Sequence, residues 1–128
     1  MGTVTGVFTR QAVWYVSGVL TTGANKSFEV IYRGPNATIK TADAHVKAAP
    51  VGAALVFDIN IDGTTIWSTQ ANRLTIADGA TSGTQTTFNT TAVVAGSSLT
   101  MDIDTIGSGT AGTSVTVLLE MEVTAEAA

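Results

Sequence analysis

Apolar and polar residues alternate with a period of two along much of the chain, as in β-strands that bury one face. The segment 114–124 is the most regular example and alternates over its whole length. Its apolar positions are Val115, Val117, Leu119, Met121 and Val123. No segment shows a convincing helical periodicity, so the pattern predicts an all-β protein.

A second strong signal lies in the segment 50–67. Residues 55–62 alternate in the same way, with Phe57 in the middle of the apolar face. Asp62-Gly63 then supplies two residues that tolerate positive φ, as a tight hairpin turn requires. Residues 64–68 return as the partner strand. We therefore expect a hairpin here, with Phe57 in the hydrophobic core.

Further strands are predicted at 12–20, 27–33, 37–49, 72–77, 84–94 and 99–104, with turn residues between them. Eight or nine strands at intervals of about ten residues indicate an antiparallel β-sandwich, jelly-roll-like, with about eight strands. Residues 12–128 are expected to form a single β-sandwich domain, because a chain of this length can bury one core. Residues 1–11 are interpreted as an extended N-terminal arm.

The composition favours a protein that packs against other subunits. Hydrophobic residues make up 45% of the chain and charged residues only 12%, about half the usual share for a soluble domain. The surface must therefore consist largely of Thr, Ser, Gly, Ala and Asn. The alternative interpretation is a neutral soluble β-domain.

The charges and the termini exclude several partners. Residues 1–73 hold all six basic residues and four acidic ones, whereas residues 74–128 hold six acidic residues and no basic one. A basic stripe is absent, so nucleic acid is not an expected partner. The longest apolar run, residues 12–16, is too short to span a bilayer, and no signal peptide is visible. The chain has no cysteine and therefore no thiolate chemistry.

One motif resembles a metal site. Asp58, Asn60, Asp62 and Gly63 match the opening of a calcium-binding loop, D-x-N-x-D-G. The twelfth position of such a loop needs a bidentate carboxylate, but this chain has Thr69 there. We therefore interpret the three polar residues as the exposed face of a strand, and we predict no metal and no cofactor.

Two other motifs could suggest nucleotide binding or catalysis. The segment 107–112 reads G-x-G-x-x-G, but it precedes a strand instead of opening a helix, so we predict a loop. His45 is the only histidine and shares a strand face with Asp43 and Lys47. No nucleophile elbow accompanies them, and a lone histidine cannot form a zinc site. We expect no catalytic residues and no enzymatic activity.

Two further groups of side chains have an ordinary interpretation and a functional one. The carboxylate pairs Asp102/Asp104 and Glu120/Glu122 lie two residues apart on strands, where exposed like charges more often oppose edge pairing than act as acid and base. Four aromatic residues could stack against a sugar if they were exposed together, although such residues usually fill a core. They are Trp14, Tyr15, Tyr32 and Trp67.

The segment 49–67 resembles a recurring pattern in virion structural proteins of tailed bacteriophages. It reads Ala-Pro-Val-Gly-Ala-Ala-Leu-Val-Phe-Asp-Ile-Asn-Ile-Asp-Gly-Thr-Thr-Ile-Trp. Similar likenesses lie upstream, at Val-Ser-Gly-Val-Leu-Thr-Thr-Gly (16–23), and downstream, at Leu-Thr-Met-Asp-Ile-Asp-Thr-Ile-Gly (99–107). The resemblance covers most of residues 16–119, and related modules are found in head decoration and tail-associated proteins.

The resemblance implies a non-enzymatic virion protein. We expect a capsid decoration protein, made in the host cytoplasm, that stabilises the assembled shell. Its expected partners are further copies of itself, in a homo-oligomer such as a trimer, and the major capsid protein or other virion proteins. The expected assembly contacts are Val4, Val7 and Phe8 of the arm. The alternative is a tail-tip or fibre module that binds a host-surface glycan through the aromatic residues named above.

Overall fold

Ten β-strands and one 3₁₀ turn make up the regular structure of the described residues. A computed structural model describes the backbone of residues 4–127 and the side chains of residues 7–123. The 3₁₀ turn is Gln70–Asn72. No helix in the described range is long and apolar enough to cross a membrane. The strands are β1 (Val4–Val19), β2 (Val30–Ile31), β3 (Ala37–Ala48), β4 (Leu55–Ile61), β5 (Thr64–Thr65), β6 (Leu74–Ile76), β7 (Ser82–Gln85), β8 (Ala92–Val93), β9 (Ser98–Thr105) and β10 (Thr113–Ala127).

The strands form two antiparallel sheets packed face to face. The first sheet has the order β1-β10-β3-β7, and β8 also pairs with β3. The second has the order β2-β9-β4-β5, and β6 also pairs with β4. Since β5 and β6 share one side of β4, and β7 and β8 share one side of β3, the ten strands occupy eight positions. Successive positions mostly alternate between the sheets, which is the jelly-roll arrangement predicted from the sequence.

The core lies between the sheets and follows the period-two pattern. Leu55, Phe57 and Ile59 of β4 are completely buried, which confirms the predicted apolar face of that strand. All five apolar positions of the β10 alternation are buried as well. Two indoles complete the core, Trp14 from β1 and Trp67 from the loop after β5. One continuous hydrophobic cluster therefore joins the two sheets.

The hairpin between β4 and β5 forms at the predicted turn. Asp62 and Gly63 have φ values of 50° and 84°, so both occupy the left-handed region that a two-residue hairpin turn requires. Asn60 pairs with Thr65, and Ile61 pairs with Thr64. The returning strand is shorter than predicted and ends at Thr65.

The predicted strand at 84–94 is wrong in its middle. Only Ser82–Gln85 and Ala92–Val93 pair with β3. Between them, the side chain of Gln85 accepts the backbone N–H groups of Thr86 and Thr87, at 2.9 and 3.0 Å. The carbonyl of Thr87 accepts the indole N–H of Trp67 at 2.8 Å. These residues therefore cover the core as a loop.

The predicted strand at 27–33 is also shorter in the structure. Only Val30 and Ile31 pair with β9. Phe28 lies in the loop before β2 and is 60% exposed. Its neighbour Ser27 donates a hydrogen bond from Oγ to the carbonyl of Tyr15, at 3.0 Å. This contact joins the loop to β1, while the backbone N–H groups of Gly23 and Lys26 donate to carbonyls of β9 at 2.9 Å.

The predicted N-terminal arm differs most from the structure. Residues 4–11 belong to β1 and pair in continuous antiparallel register with β10, from Val4 opposite Ala127 to Gln11 opposite Glu120. Residues 1–3 of the predicted arm lie outside the described range. The apolar pattern predicted that this strand begins at residue 12. It begins at Val4, because β10 extends to Ala127 and supplies backbone partners for residues 4–11.

A close approach between the sheets depends on Gly83 in β7. A Cβ atom at this position would overlap the carbonyl oxygen of Thr75 in β6. The sheets therefore meet edge to edge here, where glycine lets the two backbones approach. This contact curls the sandwich towards a half-closed barrel.

The two buried tryptophans provide a matched test of hydrogen bonding in the core. The indole N–H of Trp67 has a partner, whereas that of Trp14 has none among the described residues. Trp67→Phe should therefore lower the free energy of unfolding by about 1 kcal/mol more than Trp14→Phe, since it also leaves the Thr87 carbonyl unpaired. Urea unfolding of both variants measures the difference. Equal losses would contradict this account.

Candidate functional site

The four aromatic residues considered for sugar stacking do not form a platform. Trp14, Tyr32 and Trp67 are buried, and only Tyr15 is exposed. Trp67 stacks against Phe88, with ring centroids 5.6 Å apart. The described part of the chain also contains no ligand-sized pocket. The aromatic residues therefore act mainly as core.

The residues considered for catalysis lie on an open sheet face. His45 of β3 is exposed and pairs across the sheet with Thr116 on one side and Ser82 on the other. Asp43 lies two residues away and accepts a hydrogen bond from Thr84 Oγ1 at 2.6 Å. The carboxylate is thus bonded to a hydroxyl, and no contact joins it to His45. Nothing encloses the imidazole or holds it against a nucleophile.

The three residues of the calcium-like motif each have their own protein partner. Asn60 donates to Asp102 Oδ2 at 2.9 Å. Asp62 accepts the backbone N–H of Ser98 at 2.9 Å. Asp58 accepts a short hydrogen bond from Thr65 Oγ1. Among residues 7–123, no three His, Cys, Asp or Glu side chains converge as metal ligands.

Asp58 is nevertheless not the solvated residue that the sequence predicted. It is a buried charged residue, on the outer face of the second sheet directly opposite Asp102 of β9. Two like charges in this position repel each other. Arg73 bridges Asp58 to Asp104, with Nη2 3.6 Å from Asp58 and Nη1 2.8 Å from Asp104. The three side chains form a polar cluster in which the guanidinium compensates the carboxylates.

The electrostatics of this cluster are dominated by burial. Desolvation raises the pKa of the Asp58 carboxyl above its ordinary value. The hydrogen bond from Thr65 and the positive charge of Arg73 lower the pKa and offset part of the rise, while Asp104 and Asp102 add to it. The guanidinium also keeps one buried N–H, on Nε, without a partner in the described structure. The charged groups of the cluster contact one another, so the cluster acts on the stability of the fold.

The G-x-G-x-x-G segment is a packing loop, as predicted. The N–H of Gly109 donates to the carbonyl of Val51 at 2.8 Å, and Val51 N–H donates to the carbonyl of Thr110 at 2.9 Å. A Cβ at Gly107 would overlap the carbonyl oxygen of Thr110. The glycines therefore let this loop pack closely against the turn that precedes β4.

The paired carboxylates are engaged to different degrees. Asp102 accepts the backbone N–H of Asn25 at 3.0 Å in addition to the amide of Asn60. Glu122 lies 3.6 Å from Lys40 in an exposed ion pair. Neither pair has the geometry of an acid and a base on opposite sides of a substrate.

The surface that stands out is apolar and lies on β1. Val7 is 63% exposed and Phe8 is 54% exposed, so two of the three predicted assembly residues lie on the protein surface. The side chain of Val4, the third, lies outside the described residues. We call the exposed apolar side chains of Val7, Phe8, Val13 and Tyr15 in β1 the β1 surface; Val7, Val13 and Tyr15 lie on one face of the strand and Phe8 lies on the other. Val13 and Tyr15 are also exposed.

The sequence pattern missed Val13, and Tyr15 was considered only for sugar stacking. They alternate with the buried Ala12 and Trp14, so their apolar character reads as part of a buried strand. Val13 lies opposite Leu118, which is half-buried, and Tyr15 lies opposite Thr116, which is exposed. The signal that could have indicated a surface is the low charge of β1, because a strand edge in a soluble protein usually carries several charged residues.

The sequence matches no protein-family model and no curated protein. The fold has solved counterparts at low sequence identity. One is a chain in the acidic stable capsid structure of the Helicobacter pylori bacteriophage KHP30, with 8% identity, a TM-score of 0.50, and coverage of 98% of this chain and 99% of the other.

Two further structures are less similar. The core of Drosophila NLP has 12% identity and a TM-score of 0.43, with coverage of 88% and 97%. The carbohydrate-binding module CBM36 has 13% identity and a TM-score of 0.40, with coverage of 98% and 100%. At these identities the likeness concerns the fold alone. The chain therefore has a β-sandwich fold like that of a chain in a viral capsid.

Removal of the Arg73 charge tests the polar cluster. Arg73→Met should lower the free energy of unfolding by about 3 kcal/mol, because it leaves Asp58 buried without compensation and opposite Asp102. Lys40→Met is the matched control, since its ion pair with Glu122 is exposed and its loss should change stability by about 0.5 kcal/mol or less. Chemical denaturation measures both. Similar costs for the two variants would contradict a compensating role for Arg73.

The pH dependence of stability tests the raised pKa of Asp58. Between the ordinary carboxyl pKa and the raised folded value, the folded state binds more protons than the unfolded state, so stability falls as pH rises. Compared with Asp58→Asn, which cannot titrate, the native protein should gain stability as pH is lowered through the folded pKa, with the gain complete below the ordinary pKa. Denaturation of both proteins from pH 3 to pH 7 measures this difference. If the difference in stability is constant, or grows with pH, desolvation is not the largest contribution to the pKa of Asp58.

Proposed function

We propose that the protein is a non-enzymatic structural component of a bacteriophage particle, which decorates the capsid and stabilises the assembled shell. The observation that supports this most is the likeness in fold to a chain in a bacteriophage capsid structure, which extends over nearly the whole length of both chains. The sequence likeness of residues 16–119 to phage virion proteins points in the same direction.

The character of the surface also supports an assembly role. The β1 surface exposes two aromatic and two aliphatic side chains on one strand. Exposed apolar groups of this kind mark sites where proteins associate. Charged residues form only 12% of the chain, so little desolvation of charge opposes such contacts.

A non-enzymatic role agrees with the arrangement of the polar side chains. Asp43 and Asp58 are engaged by hydroxyl groups, and His45 lies on an open sheet face. An active site normally encloses its substrate in a concave pocket, with groups of perturbed pKa directed into it. Asp58, whose pKa is raised by burial, is directed at Arg73 and Thr65.

The proposed mechanism is stabilisation by binding. A decoration protein that binds the assembled shell but not its dissociated subunits shifts the equilibrium towards the shell by mass action. Many weak contacts per particle then combine into a large effect. A β-sandwich suits this task, because binding residues on a paired strand lose little conformational entropy when they bind.

The glycan-binding alternative has less support. Three of the four aromatic residues proposed for it are buried, which leaves Tyr15 without an aromatic partner from that set. The alternative remains a prediction for a tail-tip or fibre location, and the position of the protein on the particle distinguishes it from decoration.

The proposal can be tested with particles that lack the protein. Addition of purified protein should raise the temperature at which the particles release their genome. A double substitution, Val7→Ser with Phe8→Ser, should weaken particle binding by about tenfold, because it removes exposed apolar area from the β1 surface. Cosedimentation measures binding, and dye uptake by released DNA measures particle stability.

Val94→Ser is the control, since Val94 is a similarly exposed valine in the loop after β8. It should leave binding unchanged. Immunolabelling then locates the protein. Label over the head supports decoration, label confined to the tail tip supports the glycan-binding alternative, and particles without label would overturn both.

A further inference from the structure

The first strand has one side with no neighbour. β1 is the terminal strand of the first sheet, where β10 occupies one side and no strand in the described range occupies the other. It spans 16 residues, whereas the strands at the other sheet edges are far shorter, such as β2 and β5 with two residues each. The protein therefore has one long free strand edge.

One hydrogen bond identifies the groups that point towards this free side. The carbonyl of Tyr15 accepts from Ser27 Oγ, which lies in the loop beside β1 and not in β10. Backbone groups of successive residues point to opposite sides of a strand. The N–H and C=O groups of Val7, Thr9, Gln11 and Val13 therefore point away from β10 as well. Because Ser27 occupies the position beside Tyr15, the free edge runs from residue 4 to residue 13.

This edge lacks the features that usually prevent association. Exposed edge strands are normally short, interrupted by proline or bulges, or lined with charges. Residues 4–13 contain no proline, pair with β10 without a register shift, and carry a single charged side chain, Arg10. The exposed side chains of Val7 and Phe8 lie on opposite faces of this segment, so a strand added at the edge would cover both.

We propose that two copies of the protein pair through this edge, with their β1 strands antiparallel and the two-fold axis at Thr9. The first sheets of the two copies would then join into one continuous sheet. Thr9 would exchange two backbone hydrogen bonds with Thr9 of the second copy, and Val7 would do the same with Gln11. A second copy is the natural occupant, because the segment complements itself in this register.

The charge of Arg10 selects the register. The axis at Thr9 sets Phe8 opposite Arg10 of the second copy, where the guanidinium can lie against the aromatic ring. An axis at Arg10 would oppose two like charges, which is unfavourable across strands. An axis at Gln11 would require Val7 to pair with Tyr15, whose carbonyl is bonded to Ser27. An axis at Phe8 would leave Arg10 opposite Gly6 and without a partner.

The inference deepens the proposed function, and it rests on that function only for its biological purpose. An isologous contact closes at two copies, so the protein alone should form a dimer instead of the trimer expected from the resemblance. The dimer can be tested without any particle. Dimerisation without particle binding would contradict the proposed function alone, and particle binding by a monomer would contradict this inference alone.

Cysteine cross-linking tests the register, and the chain contains no native cysteine to interfere. In a hydrogen-bonded antiparallel pair, the Cα atoms are about 5.5 Å apart, which is within the range of a disulfide. Thr9→Cys should therefore form a disulfide-linked dimer under mild oxidation. Gln11→Cys is the matched control and should remain monomeric on a non-reducing gel, because it lies opposite Val7 and far from its own copy.

Proline substitution tests the role of the backbone. Thr9→Pro removes an N–H that points to the free side, and proline is tolerated at such edge positions. It should raise the dimer dissociation constant by about tenfold or more, whereas Thr9→Ala should not. Sedimentation velocity measures both variants, and circular dichroism shows whether each is folded.

The results that would overturn the proposal are specific. They are a wild-type protein that is monomeric or trimeric in sedimentation, cross-linking of Gln11→Cys in preference to Thr9→Cys, and a folded Thr9→Pro protein that dimerises like the wild type. A dimer that cross-links through position 9 and is weakened by proline, but not by alanine, is the expected result.

Discussion

The pairing of β10 with two strands at once is the constraint on which the rest of the structure depends. β10 lies between β1 and β3 and bonds to both along most of its length. Its inward side chains fill the middle of the core, since Val115, Val117 and Leu119 are completely buried. The position of β1 at the sheet edge follows directly, because β10 occupies one of its sides and no strand of residues 4–127 occupies the other.

A second constraint acts on the opposite sheet, where polar residues are held by each other. Asp58 and Asp102 face one another across paired strands, an arrangement that would repel if it stood alone. Arg73, from the segment between the 3₁₀ turn and β6, bridges Asp58 to Asp104. The charge of one residue thus lets a strand with polar outer positions stay packed against its neighbour. Carboxylate oxygens of Asp58 and Asp102, which could otherwise bind a metal ion, are engaged by protein groups.

Most of the fold could be predicted from local pattern. The period-two alternation located β4, β9 and β10, and the Asp62-Gly63 turn was correct in type as well as in place. The errors share one cause, which is that backbone partners far away in the chain cannot be seen in a local window. Residues 4–11 became a strand because β10 extends to meet them, and residues 86–91 left the sheet to cover Trp67.

The candidate site residues were harder to predict from the sequence. Val7 and Phe8 were expected as assembly contacts of the arm, and the structure exposes both side chains. Tyr15 reads as a core residue, since nothing in its neighbourhood distinguishes it from the buried Trp14. The burial of Asp58 was missed because the ion pair with Arg73 joins residues 15 positions apart, in a segment with no regular pattern of its own.

The pairing of β1 with β10 has a consequence for biosynthesis. Val4 pairs with Ala127, so β1 cannot find its native neighbour until β10 has been synthesised. Contacts of such high sequence separation form slowly. During that interval both sides of β1 are open to other strands, and nascent chains on adjacent ribosomes carry the same segment. The time between the synthesis of β1 and that of β10 would therefore affect how much protein reaches the native state.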